Sequence, residues 1–412
     1  MKRSFHPGLP FILVCVLLDI LGIGLIIPVL PQLVGKLAGN SASQAWWLGA
    51  MLVSYGLMQF CCAPTLGALS DRFGRRPLLL LGIFGLSIMF LVPAVSLSLP
   101  VILASRFVGG MFSANIAVAQ AYIADITPKD KRAGAFGMLG ACFGIGFILG
   151  PLIGGILGEQ DLRYPFFLAA ALSGLNFLYG LFVLPESLSL NLRTPFSLKR
   201  CNPLSALVNL SKLKSIGLLI AVIAVSSFAQ SMLHSTWTLY TDYRYGWTPF
   251  DIGISLVCIG AVSVVMQGFL MRVFIRRFGE KKVVLSGLLT GAFAYLGFGL
   301  ANQGFWLYVI IFLNFMSVAV PPTLNGMVSE NISAHDQGIS LGAISSLNSL
   351  IGVIAPLIGT PLLVHTVHQD PQSTLSGLVY FICSGLLLLA FFIAIKQFRN
   401  LRESQHVEQS CN

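Results

Sequence analysis

Gly67-Ala68-Leu69-Ser70-Asp71-Arg72-Phe73-Gly74-Arg75-Arg76 places three arginines, an aspartate and two glycines between uncharged stretches, Leu37–Ser70 before and Pro77–Ser105 after. About 20 apolar residues cross a bilayer, so each flank can span one. The polar stretch is then a short, tight turn at a membrane face.

The rest of the chain repeats this layout. Of its residues, 56% are hydrophobic and only 10% charged, against about a quarter charged in soluble domains. Asp19 alone interrupts the first run, Ser4–Gly35. Phe107–Ala124, Ala133–Gly158 and Tyr164–Pro185 complete the first half. The second half offers Ser215–Thr241, Ile252–Met271, Val283–Ser329, Gln337–Gln369 and Pro371–Ile395. Val283–Ser329 is too long for one span and divides at Asn302-Gln303-Gly304. The expected fold is an all-α membrane protein of twelve transmembrane helices, counted in chain order.

Lys and Arg are retained on the cytoplasmic side of a membrane. All but Lys36, Arg106, Arg163 and Arg244 of the 25 basic residues fall on one side of this layout. They flank helix 1, fill the 2–3, 4–5 and 8–9 loops and the 6–7 segment, and recur in the tail. Both termini are expected in the cytoplasm of a bacterial inner (plasma) membrane. The net charge of +10 follows from this rule plus attraction to anionic lipid, and no nucleic-acid partner is needed. The first hydrophobic stretch continues past Pro28 without a small-residue cleavage pattern, so it is not read as a removable signal. The eight cysteines mostly sit in spans and read as small core residues.

Arg72-Phe73-Gly74 recurs as Arg277-Phe278-Gly279, and Pro151-Leu152-Ile153-Gly154 as Pro356-Leu357-Ile358-Gly359. Two duplicated six-helix bundles are therefore expected, residues 1–185 and 215–396. A cytoplasmic linker, 186–214, lies on the membrane surface between them, and a polar, mobile tail, 397–412, follows. Such repeats place the solute site between the halves near the midplane.

Asp19 is the only carboxylate well inside a predicted span. Burial favours the neutral form of a carboxyl group, so an acid there can cycle between protonated and ionised forms. An interhelical hydrogen bond or an ion pair that fixes helix 1 is the equal alternative. Polar stripes suggest cavity walls, because a polar face cannot point at lipid cheaply. In helix 7, Ser227, Gln230, His234, Trp237 and Thr241 recur every three or four residues. Helix 10 offers Asn314, Ser317, Pro321 and Asn325, and helix 11 offers Ser345, Asn348 and Gly352. Packing alone explains about half of such residues, and His234 reads either as a proton carrier or as a hydrogen-bonding spectator.

No phosphate-binding loop, paired Cys/His set or nucleophile elbow occurs. An enzyme, a bound cofactor, a metal site and ATP as energy source are therefore not expected.

The 2–3 loop resembles the signature Gly-x-x-x-Asp-Arg-x-Gly-Arg-Arg of the major facilitator superfamily, matched at Gly67, Asp71, Arg72, Gly74, Arg75 and Arg76. The resemblance implies a transporter in which this loop switches conformation. In that superfamily an acid closing helix 4 pairs with an arginine of the loop, which makes Arg75–Asp125 the candidate latch. Gly146-x-x-x-Gly150-Pro151-x-x-Gly154-Gly155 in helix 5 resembles the pattern that marks proton-antiporting exporters. Small residues at this spacing let helices approach closely. Arg106 opens Arg-Phe-Val-Gly-Gly in helix 4. It reads as snorkelling to the outer interface or, by resemblance, as a fixed charge that tunes a carboxylate. Direct pairing with Asp19 is not expected, because the two differ in depth.

Nearly the whole chain is similar to the tetracycline exporters and other drug:proton antiporters. Leu18-Asp19, Gly22-Ile23-Gly24-Leu25-Ile26, Pro28-Val29-Leu30-Pro31 and Leu139-Gly140-Ala141 carry that likeness beyond the loop. Those exporters have acids in helices 3 and 9 where this chain has Met89 and Gly291, and often a histidine in helix 8 where it has Ser263. The implied function is proton-coupled export of a small organic compound by a monomer in contact with membrane lipid. An uncharged or zwitterionic solute is expected rather than a cationic metal–drug chelate. A siderophore or metabolite transporter, importers included, and a non-transporting transporter-like sensor remain the alternatives.

Overall fold

The computed structural model describes residues 8–113, 115–128, 131–193, 217–330, 337–367 and 373–410. Among the described residues there are helices and no strands. In lipid every backbone group must be satisfied within the chain, and uncharged runs of this length do so as helices.

Eleven helices are long and apolar enough to cross a bilayer. They are α1 (Gly8–Ala38), α2 (Ser41–Phe73), α3 (Arg75–Val95), α4 (Leu99–Ile126), α5 (Gly134–Gln160), α6 (Tyr164–Val183), α7 (Gly217–Tyr245), α8 (Pro249–Phe278), α9 (Glu280–Leu300), α11 (Ile344–Thr366) and α12 (Thr374–Arg399). The pair Gly304–Leu313 and Ser317–Val328, bent by 53°, forms α10 and brings the spans to twelve. Within α10 the helix is interrupted between Leu313 and Ser317. A π-helical segment, Met266–Leu270, interrupts α8.

The turns carry the duplication more sharply than the sequence does. Among the described residues the backbone takes positive φ at four glycines: Gly39 (77°), Gly74 (104°), Gly246 (63°) and Gly279 (81°). Gly39 and Gly246 stand at the α1–α2 and α7–α8 junctions, and Gly74 and Gly279 at the α2–α3 and α8–α9 junctions. A side chain disfavours this conformation, so each half turns its chain on glycines at matching places.

The exceptional basic residues also have places. Arg163 donates to the carbonyls of Ala94 (3.4 Å) and Ser96 (3.2 Å) at the end of α3. Arg244 is buried and donates to Gly299 O at 3.0 Å in the last turn of α9 and to the Tyr240 hydroxyl at 3.1 Å. Both cations thus meet the carbonyl-rich ends of helices, where positive charge is favourable.

Two compact units emerge: Met1–Pro203 with Gly246–Gly260, and Leu204–Tyr245 with Ala261–Asn412. The start of α8 joins the first unit because it packs on glycines of α5. A Cβ on Gly155 would stand 2.7 Å from Pro249 O, and one on Gly253 would stand 2.6 Å from Pro151 O. The last helix continues to Ser410 without a break at 396. Of the 186–214 linker, only its first residues, through Arg193, are described. Its expected place on the membrane surface concerns residues outside the described ones, as do Lys2 and Arg3.

Candidate functional site

The signature loop is built around Arg75, which is buried. Its guanidinium meets Asp71 at 2.6 Å, Asp125 Oδ2 at 3.0 Å and the Ser70 hydroxyl at 2.6 Å. Arg75 and Asp125, the candidate latch, are therefore in contact. A further carboxylate joins them. Glu186, at the exit of α6, accepts from the backbone amides of Arg75 (2.9 Å) and Arg76 (3.3 Å), the first residues of α3. It also accepts from the amides of Ser187 and Leu188, and the Ser187 hydroxyl donates to Asp125 Oδ2 at 3.1 Å. The unpaired amides at a helix start favour such an anion. Gly74 leaves the room: a Cβ there would clash with the Glu186 carboxylate. Arg76 donates to Leu181 O at 2.6 Å, while Arg72 is exposed and lies 5.1 Å from the Phe73 ring. Nothing lies within 4 Å of a Cβ built on Gly67.

This geometry sets one expectation. Arg75→Ala should lower turnover more than substrate affinity, measured as transport rate against equilibrium binding at matched membrane levels. Glu186→Ala should act in the same direction and destabilise the fold by about 1 kcal/mol, the usual cost of a lost cap.

Asp19 is buried between α1 and α6. Asn176 Nδ2 donates to Asp19 Oδ1 at 3.0 Å and to the Cys15 carbonyl at 2.9 Å. Asn176 is fully buried, and its Oδ1 has no partner; the Ser173 Oγ, one turn earlier, has none either. A carboxylate only accepts, whereas a protonated carboxyl also donates one bond. The α6 face therefore keeps acceptor capacity beside Asp19 that a bound proton can use. No cation pairs with Asp19 among the described residues, where its partner is the Asn176 amide.

The structure does not bring Arg106 to Asp19. Arg106 is only 5% exposed, which sets aside snorkelling, and its Nη2 donates to Met89 O at 3.4 Å. Its guanidinium carbon lies 5.9 Å from the Phe90 ring, and its Nε is buried without a partner.

The glycines of α5 form a seam against α1. A Cβ on Gly146 would stand 2.6 Å from Ile20, and one on Gly150 2.7 Å from Gly24 Cα. One on Gly154 would collide with the Leu25 carbonyl. Pro151 and Gly155 belong to the neighbouring face, which holds the start of α8. A single motif thus seats two helices.

The polar stripes divide. Gln230, Asn314 and Asn325 are half-buried, and His234 and Asn348 are exposed. Trp237 and Thr241 correct the expectation of a cavity wall. Trp237 is 2% exposed and packs edge-on to Phe298 and Tyr380, and the Thr241 hydroxyl is spent on Trp237 O. Periodicity identified one face of α7, but its last turns, with Trp237 and Thr241, face the core of the second unit.

The family model of the Major Facilitator Superfamily matches residues 12–356. The chain belongs to that superfamily. Within it, the chain falls with the drug:proton antiporters of tetracycline-exporter type. It is 37% identical to the class C tetracycline resistance protein of Escherichia coli, over 93% of this chain and 95% of that one. It is 30% identical to multidrug resistance protein 2 of Bacillus subtilis, over 94% and 97%. The crystal structure of the human organic anion transporter MFSD10 (TETRAN) covers 94% of this chain and 99% of its own, with TM-score 0.70 and 26% identity. This major facilitator protein is accordingly a multi-pass membrane protein of drug-exporter-like type and not an enzyme.

Proposed function

We propose that this major facilitator protein is a proton-coupled antiporter that exports a small organic compound across the bacterial inner membrane, with both termini in the cytoplasm. The observation that carries the reading is Asp19, a buried carboxyl held by a neutral amide and no cation. An acid fixed by a permanent ion pair would have little reason to take up a proton. One held by Asn176 can exist in both forms without breaking a charge pair. The α5 seam and the resistance functions named for its relatives favour export over import. Asp71, Arg75, Asp125 and Glu186 form the switch that holds one conformation and releases in another. The direct test is flux in proteoliposomes: an imposed pH gradient should drive substrate uphill, and its collapse should stop that movement.

The substrate carries no net positive charge. The helix 3 and helix 9 positions at issue are Met89, beside Arg106, and Gly291, where a Cβ would stand 3.1 Å from Leu387 and 3.3 Å from Ser317. A magnesium–tetracycline chelate would bring positive charge where no acid offsets it, and burying unpaired charge is costly. Gln230, His234, Asn325 and Asn348 suit apolar burial with a few orienting hydrogen bonds. Expression in a sensitive, efflux-deficient cell should therefore raise tetracycline resistance only marginally, measured against an empty vector. Strong resistance that vanishes with the proton gradient would overturn this substrate assignment.

A further inference from the structure

We infer that Asn176 is the second half of the proton site: its amide answers both forms of Asp19 and so sets how readily the carboxyl loads. The inference deepens the antiport reading above and rests on it. Asn176 acts as a positioning residue, since the proton itself is carried by Asp19.

The neighbours of the amide fix its orientation. Nδ2 donates to Asp19 Oδ1 at 3.0 Å and to the Cys15 carbonyl at 2.9 Å, and an amide oxygen turned toward these two acceptors would find no proton. Oδ1 is left buried without a partner. Both residues are buried, so bulk water does not make up the missing bond.

Each form of Asp19 therefore has something that the other lacks. The ionised carboxylate takes a charge-assisted bond from Nδ2 and leaves Oδ1 orphaned, which is costly. A proton added to Asp19 creates an O–H that can donate to Oδ1. The Nδ2 bond to the other carboxyl oxygen stays, and acid and amide then face each other through two parallel hydrogen bonds. Loading thus exchanges charge assistance for a second bond, without any cation having to leave.

No other group competes for the carboxyl. From α5 this part of α1 meets Gly146 and Gly150, at Ile20 and Gly24. On α6, Ser173 lies one turn before Asn176 and faces Gly22, where a Cβ would stand 3.5 Å from its Oγ. Cys15 on α1 and Tyr55, Arg106, Tyr122 and Tyr179 on surrounding helices are ionisable. Among the described residues none of their side chains bonds to Asp19.

The test is an infrared pH titration of purified full-length protein, which needs no ligand. The C=O band of a protonated carboxyl that is missing in Asp19→Asn belongs to Asp19. In Asn176→Leu the pH of half-loading should rise by about one unit, because the lost charge-assisted bond outweighs the lost neutral one. The band should also move to higher frequency, since the carbonyl has lost its donor. A merely structural asparagine would shift neither. Exchanging the two side chains, Asp19→Asn with Asn176→Asp, keeps the pair and moves the carboxyl to α6. The band should return, half-loaded within about one unit of the wild type. Wild-type midpoint and frequency in Asn176→Leu would overturn the inference, as would an exchanged protein that melts cooperatively and shows no such band. The antiport reading fails separately, if the wild-type and Asn176→Leu bands behave as expected and the proteoliposome flux test is negative.

Discussion

Asp19→Asn protein, reconstituted in vesicles, will exchange substrate down its gradient and will not concentrate it when a pH gradient is imposed. The substitution keeps the size and polarity of the side chain and removes only its ability to ionise. Asn176 Nδ2 can still donate to the new amide oxygen, because the Asp19 Oδ1 it now reaches at 3.0 Å has a direct counterpart. The new amide group can donate to Asn176 Oδ1, which lacks a partner. The variant should therefore fold at least as well as the wild type, and the whole effect should fall on coupling. Uphill accumulation should drop to the level set by passive exchange. If Asp19→Asn still accumulates substrate with normal dependence on pH, Asp19 is a structural hydrogen-bonding residue and the proton travels elsewhere.

Gly150→Val will lose nearly all folded protein from the membrane. Overpacking a core usually costs about 1–3 kcal/mol when side chains can move aside. Here the first added atom would meet Gly24 Cα at 2.7 Å, Gly24 C at 3.0 Å and Leu21 O at 3.1 Å, all backbone. Two helices would have to separate along their length, so the cost should exceed that range. Gly140→Val is the internal control, since a Cβ at Gly140 meets nothing within 4 Å. Detergent-solubilised yield and thermal melting of the two variants should differ sharply; similar behaviour would mean that the α1–α5 seam is looser than drawn.

The fold was legible in the sequence because a bilayer converts composition into length: uncharged runs between charged turns admit one solution. The site was legible only where charge stands out. Asp19, Arg75 and Arg106 are conspicuous in a chain with so few charges. Asn176 was not, although Ser173 and Asn176 lie three apart within the apolar Tyr164–Pro185 run and so share a helix face. That spacing was the available signal. Glu186 was assigned to the linker, since nothing local shows that an acid after α6 caps a helix begun 111 positions earlier. Trp237 failed for a different reason. Periodicity groups residues on one face but is silent on what that face meets, and here aromatic rings meet it.

The paired glycine turns carry an evolutionary consequence. A duplicated gene starts with two copies of every side chain, and these turns show that the second half still bends its chain as the first does. Its charges have gone their own way. The stretches that answer to Asp19 and Arg106 lie in Ser215–Thr241 and Val283–Ser329, and neither holds a charged residue. One copy has kept this acid and this arginine within its spans, and the other has not. Selection on the range of compounds handled thus has half a protein in which to act without disturbing the charged centre of the other half.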